Sequence, residues 1–441
     1  MILHSCYGIK FDTLAAYFLF KKYILSFIYY GNNDRMKRES EVDIKMKFTD
    51  RIYQKIATGI ANHANWEMPK VIKGNGSIRK LAQQLRDDGR EHIFIVTTKG
   101  TIKRGTLDVF FAKLENYGIV YTIFDEVMPD PTISCINQAA EMYQKNDCDA
   151  IVAIGGGSVL DCAKVAAARI VKPKQSVEKM AGGFKIGKKL PPFYAVPTTA
   201  GTASETTIAA VVTDENTNYK FAVSDGCLLP DYAVLDPVLT KGMPPQLTAF
   251  TGMDALTHAV EAYTNLYSLK QSDKKARHAV KLIFENLEHA YEHGDNLEYR
   301  QKMLLASFYA GEAFTRSFVG YVHAIAHAIG GIYHVAHGEA NAIILPYVLE
   351  AYGSSVYRSL SELAKVTGMD MTGNHEKDAK AFIQKIREMN SHMNIAATLP
   401  MILDKDIEEI VDRVYKEAHT YPTPVIWSKE ELRKLILKMR G

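Results

Sequence analysis

The chain has 441 residues, 47% hydrophobic and 23% charged, with 29 glycines and 15 prolines spread along it; disordered, collagen-like and coiled-coil chains are excluded, and two or three domains fit at roughly 150 residues each. Lys and Arg number 53 against 50 Asp and Glu, a net charge of +3 without a long basic run, which argues against a nucleic-acid partner. The five cysteines, Cys6, Cys135, Cys148, Cys162 and Cys227, include no Cys-x-x-Cys pair, so they read as free thiols of a reducing compartment, the cytoplasm, and not as a thiolate zinc site.

Residues 1–68 read as an N-terminal extension and lead-in helix. Leu14 to Tyr30 is aromatic and apolar but carries Lys21 and Lys22 in its middle. The flanking apolar stretches are too short to span hydrocarbon, and no small-residue cleavage site follows. A dispensable leader is expected, with Met36 or Met46 as a second start; weak peripheral anchoring is the other reading.

From residue 69 to 245, β-branched runs alternate with helical spacing, as a twisted α/β sheet with packed helices reads. The runs are His92–Val96, Tyr121–Phe124, Ala150–Ile154, Phe193–Val196 and Ala233–Leu235, with helical stretches at Ala139–Lys145 and Val159–Arg169. The buried run Ile151–Ile154 leads into Gly155-Gly156-Gly157-Ser158 and then an Ala-rich helix. Glycines allow close backbone approach, and free N–H groups with the helix dipole favour a pyrophosphate there. The plainer reading is a tight turn. A second small-residue loop, Pro197-Thr198-Thr199-Ala200-Gly201-Thr202-Ala203-Ser204-Glu205, arrives at the same C-terminal sheet edge, where open α/β sheets bind ligands. Thr202 with Glu205 also fits a capping box.

Near residue 245 strand signals stop, and 246–441 reads as all helix. Of 14 histidines, His323, His327, His334 and His337 fall within fifteen residues. His323 and His327 lie one turn apart on a helix expected to end near Gly330-Gly331, with His337 in the following loop. Asp254 and His258 stand four apart, on one helical face. Asp254, His258, His323 and His337 would make a one-carboxylate, three-imidazole site suited to Fe(II) or Zn(II). The alternative is that Asp254 caps a helix and the histidines are polar core.

These segments resemble the iron-containing alcohol dehydrogenases, the family of lactaldehyde reductase, propanediol dehydrogenase and butanol dehydrogenases, from about residue 69 to the C-terminus. The resemblance rests on Gly155-Gly-Gly-Ser-x-x-Asp161, Pro197-Thr-Thr-Ala-Gly-Thr-Ala-Ser-Glu205, Gly252-Met-Asp-Ala-Leu-Thr-His-Ala-Val-Glu261, and His323-Ala-Ile-Ala-His327 followed by His337-Gly338. It implies the dehydroquinate synthase-like fold of that family: an N-terminal Rossmann-like domain, an all-α C-terminal domain, and a cleft for NAD(H) or NADP(H) and metal. The ligands implied are Asp254, His258, His323 and His337, with His327 beside them assisting proton transfer. Gly155, Gly156, Gly157, Ser158 and Asp161 would hold the pyrophosphate, Thr198, Thr199 and Thr202 the nicotinamide side, and Lys220 would lie near the ribose; Phe314 and Val319 match substrate-pocket positions. The implied activity is hydride transfer between NAD(P) and a small primary alcohol or aldehyde, commonly in a homodimer.

Two positions depart from the family pattern. Thr98 and Lys99 stand where many members carry an aspartate that bonds the adenosine ribose and repels a 2′-phosphate, so NADP(H) is expected to be accepted and preferred. Asp130 stands where asparagine is commoner, and no cofactor contact is assigned to it. A glycerol dehydrogenase-like zinc enzyme is the nearest rival. A dehydroquinate synthase-like lyase would need a basic pocket, yet only Arg316 lies near the His323–His337 segment. A non-catalytic metal- or nucleotide-binding protein is the remaining reading.

Overall fold

The computed structural model describes residues 35–64, 66–217 and 219–441, with side chains from residue 47 on. The segment Leu14–Tyr30, with its leader or anchor, lies outside the described residues. In chain order the strands are β1 (Lys70–Lys73), β2 (His92–Val96), β3 (Val120–Phe124), β4 (Ala150–Gly155), β5 (Gly182–Gly183), β6 (Phe193–Pro197), β7 (Ala209–Asp214), β8 (Tyr219–Ser224) and β9 (Tyr232–Leu235). Six of them form one parallel sheet in the order β1-β9-β6-β4-β2-β3.

Helices α1 (Arg35–His63), α2 (Ser77–Asp87), α3 (Lys99–Lys103), α4 (Asp108–Asn116), α5 (Ile133–Lys145), α6 (Gly157–Val171) and α7 (Val177–Met180) accompany the strands. Alternation along the pleat decides which helix covers which face. Ile93, Ile95, Val152 and Ile154 pack with Leu81 and Leu85 of α2 and Phe110 and Leu114 of α4. Their neighbours Phe94, Val96, Ile151 and Ala153 pack with Ile136 and Ala139 of α5 and Leu160 and Ala163 of α6. The central strands are buried throughout, so their apolar runs are continuous and easily read.

The small sheet β5-β8-β7, built around the antiparallel β7–β8 hairpin, is not foreseen by the sequence reading, nor is β1. Both escape for the same reason. They are short, at two to six residues, and partly exposed, so they carry neither a continuous apolar run nor a clean alternation that would separate them from a loop.

Beyond the sheet come α8 (Pro245–Thr264), α9 (Lys270–Glu292), α10 (Leu297–Ser317), α11 (Tyr321–Tyr333), α12 (His337–Tyr352) and further helices to Arg440. Pro245 starts α8 at the position where a missing N–H costs nothing. Two expectations are corrected here. Helix α11 runs past Gly330-Gly331 to Tyr333, because left-handed His334 (φ 57°) supplies the cap. His337 opens α12 instead of lying in a loop. The lead-in helix α1 docks on this helical half: Arg51 donates to the carbonyls of Thr423 (2.5 Å) and Pro424 (3.0 Å), and Gln54 to that of His419 (3.0 Å). Among the described residues no helix is long and apolar enough to cross a membrane.

Candidate metal and cofactor site

Helix α8 brings Asp254 and His258 to one face, and α11 presents His323 to them. One donor atom from each lies within 4.8 Å of the others, and all three residues are buried. His337, in the first turn of α12, stands at the edge of this trio, with Nε2 3.6 Å from Asp254 Oδ1 and its ring 5.4 Å from that of His323. Three of the four expected ligands therefore converge, and the fourth faces the same carboxylate from the open side.

Burial pushes the imidazoles of His323 and His258 down, since a low-dielectric surround disfavours the charged form. Neutral rings keep the lone pairs a cation needs. His258 Nδ1 is buried without a hydrogen-bond partner, a costly state for a ring nitrogen unless a ligand satisfies the site. One carboxylate with neutral imidazoles fits a divalent first-row ion.

Two residues around this set were not singled out from sequence. Glu261, one turn after His258, accepts from His323 Nδ1 (2.6 Å) and from the backbone N–H groups of Gly320 (2.9 Å) and Val322 (2.7 Å). It fixes the tautomer that leaves His323 Nε2 toward Asp254. Burial pushes its carboxyl up to about 8, against the pull of those donors. Its place at the end of the Gly252–Glu261 motif was the available signal. Asn341, one turn after His337, donates to Asp254 Oδ1 (2.8 Å) and lies 3.3 and 3.1 Å from the Nε2 atoms of His323 and His337; only its four-residue spacing from His337 marked it.

His327 stacks on His337 with centroids 5.2 Å apart and binds Glu417 through Nδ1 (2.7 Å). Glu417 also accepts from the Tyr421 hydroxyl (2.8 Å). Burial alone would lower the His327 pKa; the Glu417 carboxylate outweighs it and the pKa is raised. His327 is exposed on its outer side, so it bridges the buried trio and solvent. Phe314 covers His258 from the other side, stacked at 4.1 Å. Val319 lies at the turn after α10, its carbonyl held by Asn265 Nδ2 (2.9 Å).

The two small-residue loops meet at the C-terminal sheet edge. Gly155 and Pro197 are in register, and Thr198 N–H donates to the Gly155 carbonyl (2.9 Å). A Cβ on Gly157 would lie 2.8 Å from Thr202 Cγ2, and one on Gly155 would overlap Val159. Close approach, not positive φ, demands glycine here. Gly156 begins α6 in extended conformation with no side-chain cap, leaving the first N–H groups for an anion. A Cβ on Gly201 would lie 2.8 Å from the Thr251 carbonyl oxygen, so the threonine loop packs directly on α8, three residues before Asp254.

Asp161 has structural partners of its own. Its carboxylate accepts from Ser204 Oγ (2.6 Å) and Val211 N–H (2.9 Å). It anchors the threonine loop and β7 one turn into α6, just after the cradle. The capping box is absent. Ala203 is left-handed (φ 52°), only a 3-10 turn Ser204–Thr206 follows, and Glu205 is buried and pushed up to about 7 by desolvation. Lys220 on β8 pairs with Asp130 (2.8 Å). Thr98 caps α3 through Thr101 N–H (3.1 Å), while Lys99 pairs with Glu126 and Arg104 donates to Thr101 Oγ1 (3.0 Å). The end of β2 thus offers the Thr98 and Thr101 hydroxyls, Arg104 and a lysine already paired with Glu126, with no carboxylate at residue 98 itself.

Gly338, beside His337, packs against the carbonyl of Phe250 so closely that a Cβ would overlap it. Gly338→Ala is expected to destabilise the protein by about 1–3 kcal/mol by overpacking, a melting-temperature drop of at least about 2 °C in calorimetry. An unchanged melting temperature would mean that α12 does not depend on this contact with α8.

Comparisons with known proteins agree with this geometry. Residues 69–237 match the family model "Iron-containing alcohol dehydrogenase", and residues 248–439 match "Fe-containing alcohol dehydrogenase family, C-terminal". Alcohol dehydrogenase 4 of Schizosaccharomyces pombe is 36% identical, over 82% of this chain and 85% of that protein. An NADPH-dependent butanol dehydrogenase of Clostridium saccharobutylicum is 34% identical, over 83% and 95%. The crystal structure of a 1,3-propanediol oxidoreductase superposes with a TM-score of 0.81 at 33% identity, covering 85% of this chain and 99% of that one.

Proposed function

This chain belongs to the iron-containing alcohol dehydrogenase family, and from that premise we propose that it reduces a small aldehyde to its primary alcohol, and reverses the reaction, using NADP(H) in preference to NAD(H). The buried trio Asp254, His258 and His323, with His337 on its open side, carries this reading. Bound there, a divalent ion would supply a Lewis acid for the substrate oxygen and the nicotinamide would supply or accept the hydride.

The chain's own residues do the rest. The Gly155–Ser158 turn and the free start of α6 receive the pyrophosphate, and Thr198, Thr199 and Thr202 line the nicotinamide side. Because Gly201 packs on Thr251, the cofactor loop is held against the helix that carries Asp254 and His258. Phe314 excludes water from the His258 side. His327, bonded to Glu417 and open to solvent, passes a proton between the substrate oxygen and water. Lys220 stands by the ribose, paired with Asp130. Zinc and iron both suit the donors, and the affinity order favours zinc. The test is aldehyde-dependent oxidation of NADH and NADPH by stripped protein restored anaerobically with Fe(II) or Zn(II), using butanal, propanal and lactaldehyde. Metal-dependent turnover is expected; none with any combination would overturn the reading.

The neutral Thr98, with Arg104 and the Glu126-paired Lys99 nearby, supports acceptance of a 2′-phosphate. Thr98→Asp is expected to shift the kcat/KM ratio of NADPH to NADH toward NADH by about tenfold, the worth of roughly 1.4 kcal/mol. Wild-type efficiency that is comparable or higher with NADH would refute the preference. The four described cysteines are free thiols, which fits a cytosolic enzyme. We place it there as a homodimer, which light scattering at twice 49.3 kDa would support and a monomer mass would refute.

A further inference from the structure

Two thiols of the sheet domain meet outside the cleft and take no part in the chemistry above. Cys135 lies in the first turn of α5 and Cys162 in the second turn of α6, and their sulfurs are 3.9 Å apart. Cys135 is partly exposed, whereas Cys162 is fully buried. The helices that carry them pack on each other through Ile136, Ala139 and Ala163, and Arg169 Nε donates to Asn137 Oδ1 (2.9 Å) across the same seam.

We propose that Cys135 and Cys162 are a reversible thiol–disulfide site, with Cys135 the thiol that meets a hydroperoxide oxidant and Cys162 the buried thiol that resolves the product.

The chemistry of each sulfur fits its part. The hydrogen bond with the Cys162 thiol draws the Cys135 pKa below its ordinary value, despite partial burial and the opposing Glu126 and Glu215 carboxylates, the latter bound at the start of α5. Cys162 is held well up, by the Cys135 sulfur and by burial. Of the other described cysteines, burial pushes both Cys148 and Cys227 up, so neither competes as a thiolate. In the first step the Cys135 thiolate attacks one peroxide oxygen, the O–O bond breaks, and hydroxide leaves and takes up a proton, giving a sulfenic acid and water. In the second, the Cys162 sulfur attacks the sulfenic sulfur, the S–S bond forms, the S–O bond breaks, and water leaves with the Cys162 proton. Two thiols and one peroxide give one disulfide and two waters, with two electrons passing from sulfur to oxygen. The sulfurs must close from 3.9 Å to about 2.05 Å.

Full-length protein treated with a few equivalents of hydrogen peroxide, blocked with N-ethylmaleimide and digested without reduction should yield one linked peptide pair joining Cys135 to Cys162. Dithiothreitol should restore both thiols. In Cys162→Ala, Cys135 should instead proceed to sulfinic acid, which dithiothreitol does not reverse. In Cys135→Ala, Cys162 should remain alkylatable after unfolding. Circular-dichroism melts check that the variants fold, and the wild-type digest carries the test without them. Wild-type Cys135 ending as sulfinic acid, a link from Cys135 to Cys6, Cys148 or Cys227, or an unreacted pair at doses that oxidise the other thiols would each overturn the proposal.

Discussion

His323→Ala should lower kcat/KM for aldehyde reduction by about 10³-fold or more and purify with much less metal than the wild type. His323 is buried between two carboxylates, Glu261 bonded at Nδ1 and Asp254 facing Nε2 at 3.8 Å. The substitution removes a donor at the centre of the trio and leaves the Glu261 oxygen that had taken the ring proton with one partner fewer. A Lewis acid at a reacting oxygen is worth several kcal/mol, and about 1.4 kcal/mol is tenfold in rate, which sets the expected loss. Metal content by plasma mass spectrometry, read beside kcat/KM and a melting curve, separates the causes. A folded variant with wild-type metal content and rate would remove His323 from the site.

Glu261→Gln should weaken metal binding by about 10- to 100-fold, the usual effect of removing a carboxylate behind a ligating histidine. The two oxygens of Glu261 accept from three donors: the ring N–H of His323 and the backbone N–H groups of Gly320 and Val322. An amide has one oxygen and an NH2 group that meets these donors head-on, so at least one bond is lost and the imidazole is no longer held in one tautomer. Competition with a chelator for Zn(II) or Co(II) reads the affinity directly, without turnover. If Glu261→Gln binds metal like the wild type and only melts earlier, Glu261 merely holds the start of α11 in place.

How much of this was legible in the sequence depended on how local the signal was. The central strands, the glycine turn, the helix pair Asp254/His258 and the turn pair His323/His327 are each written within a dozen residues, because periodicity and short-range spacing follow from backbone geometry alone. Those segments, and the family they resemble, set the sheet domain, the helical domain and the residue types of the metal site. The tertiary structure decided what depends on partners distant along the chain. Asp161 is tied to Ser204 and Val211 because β7 and the threonine loop pack beside α6, and Asn341 reaches Asp254 because α12 lies across α8. Glu261 became the support of His323 only when α11 began against it, and the Cys135 and Cys162 sulfurs, on separate helices, met only when α5 packed on α6. Hydrogen bonds and burial act over a few ångströms of space whatever the separation along the chain, so pattern along the sequence indicates which residue types are present, while packing assigns their partners.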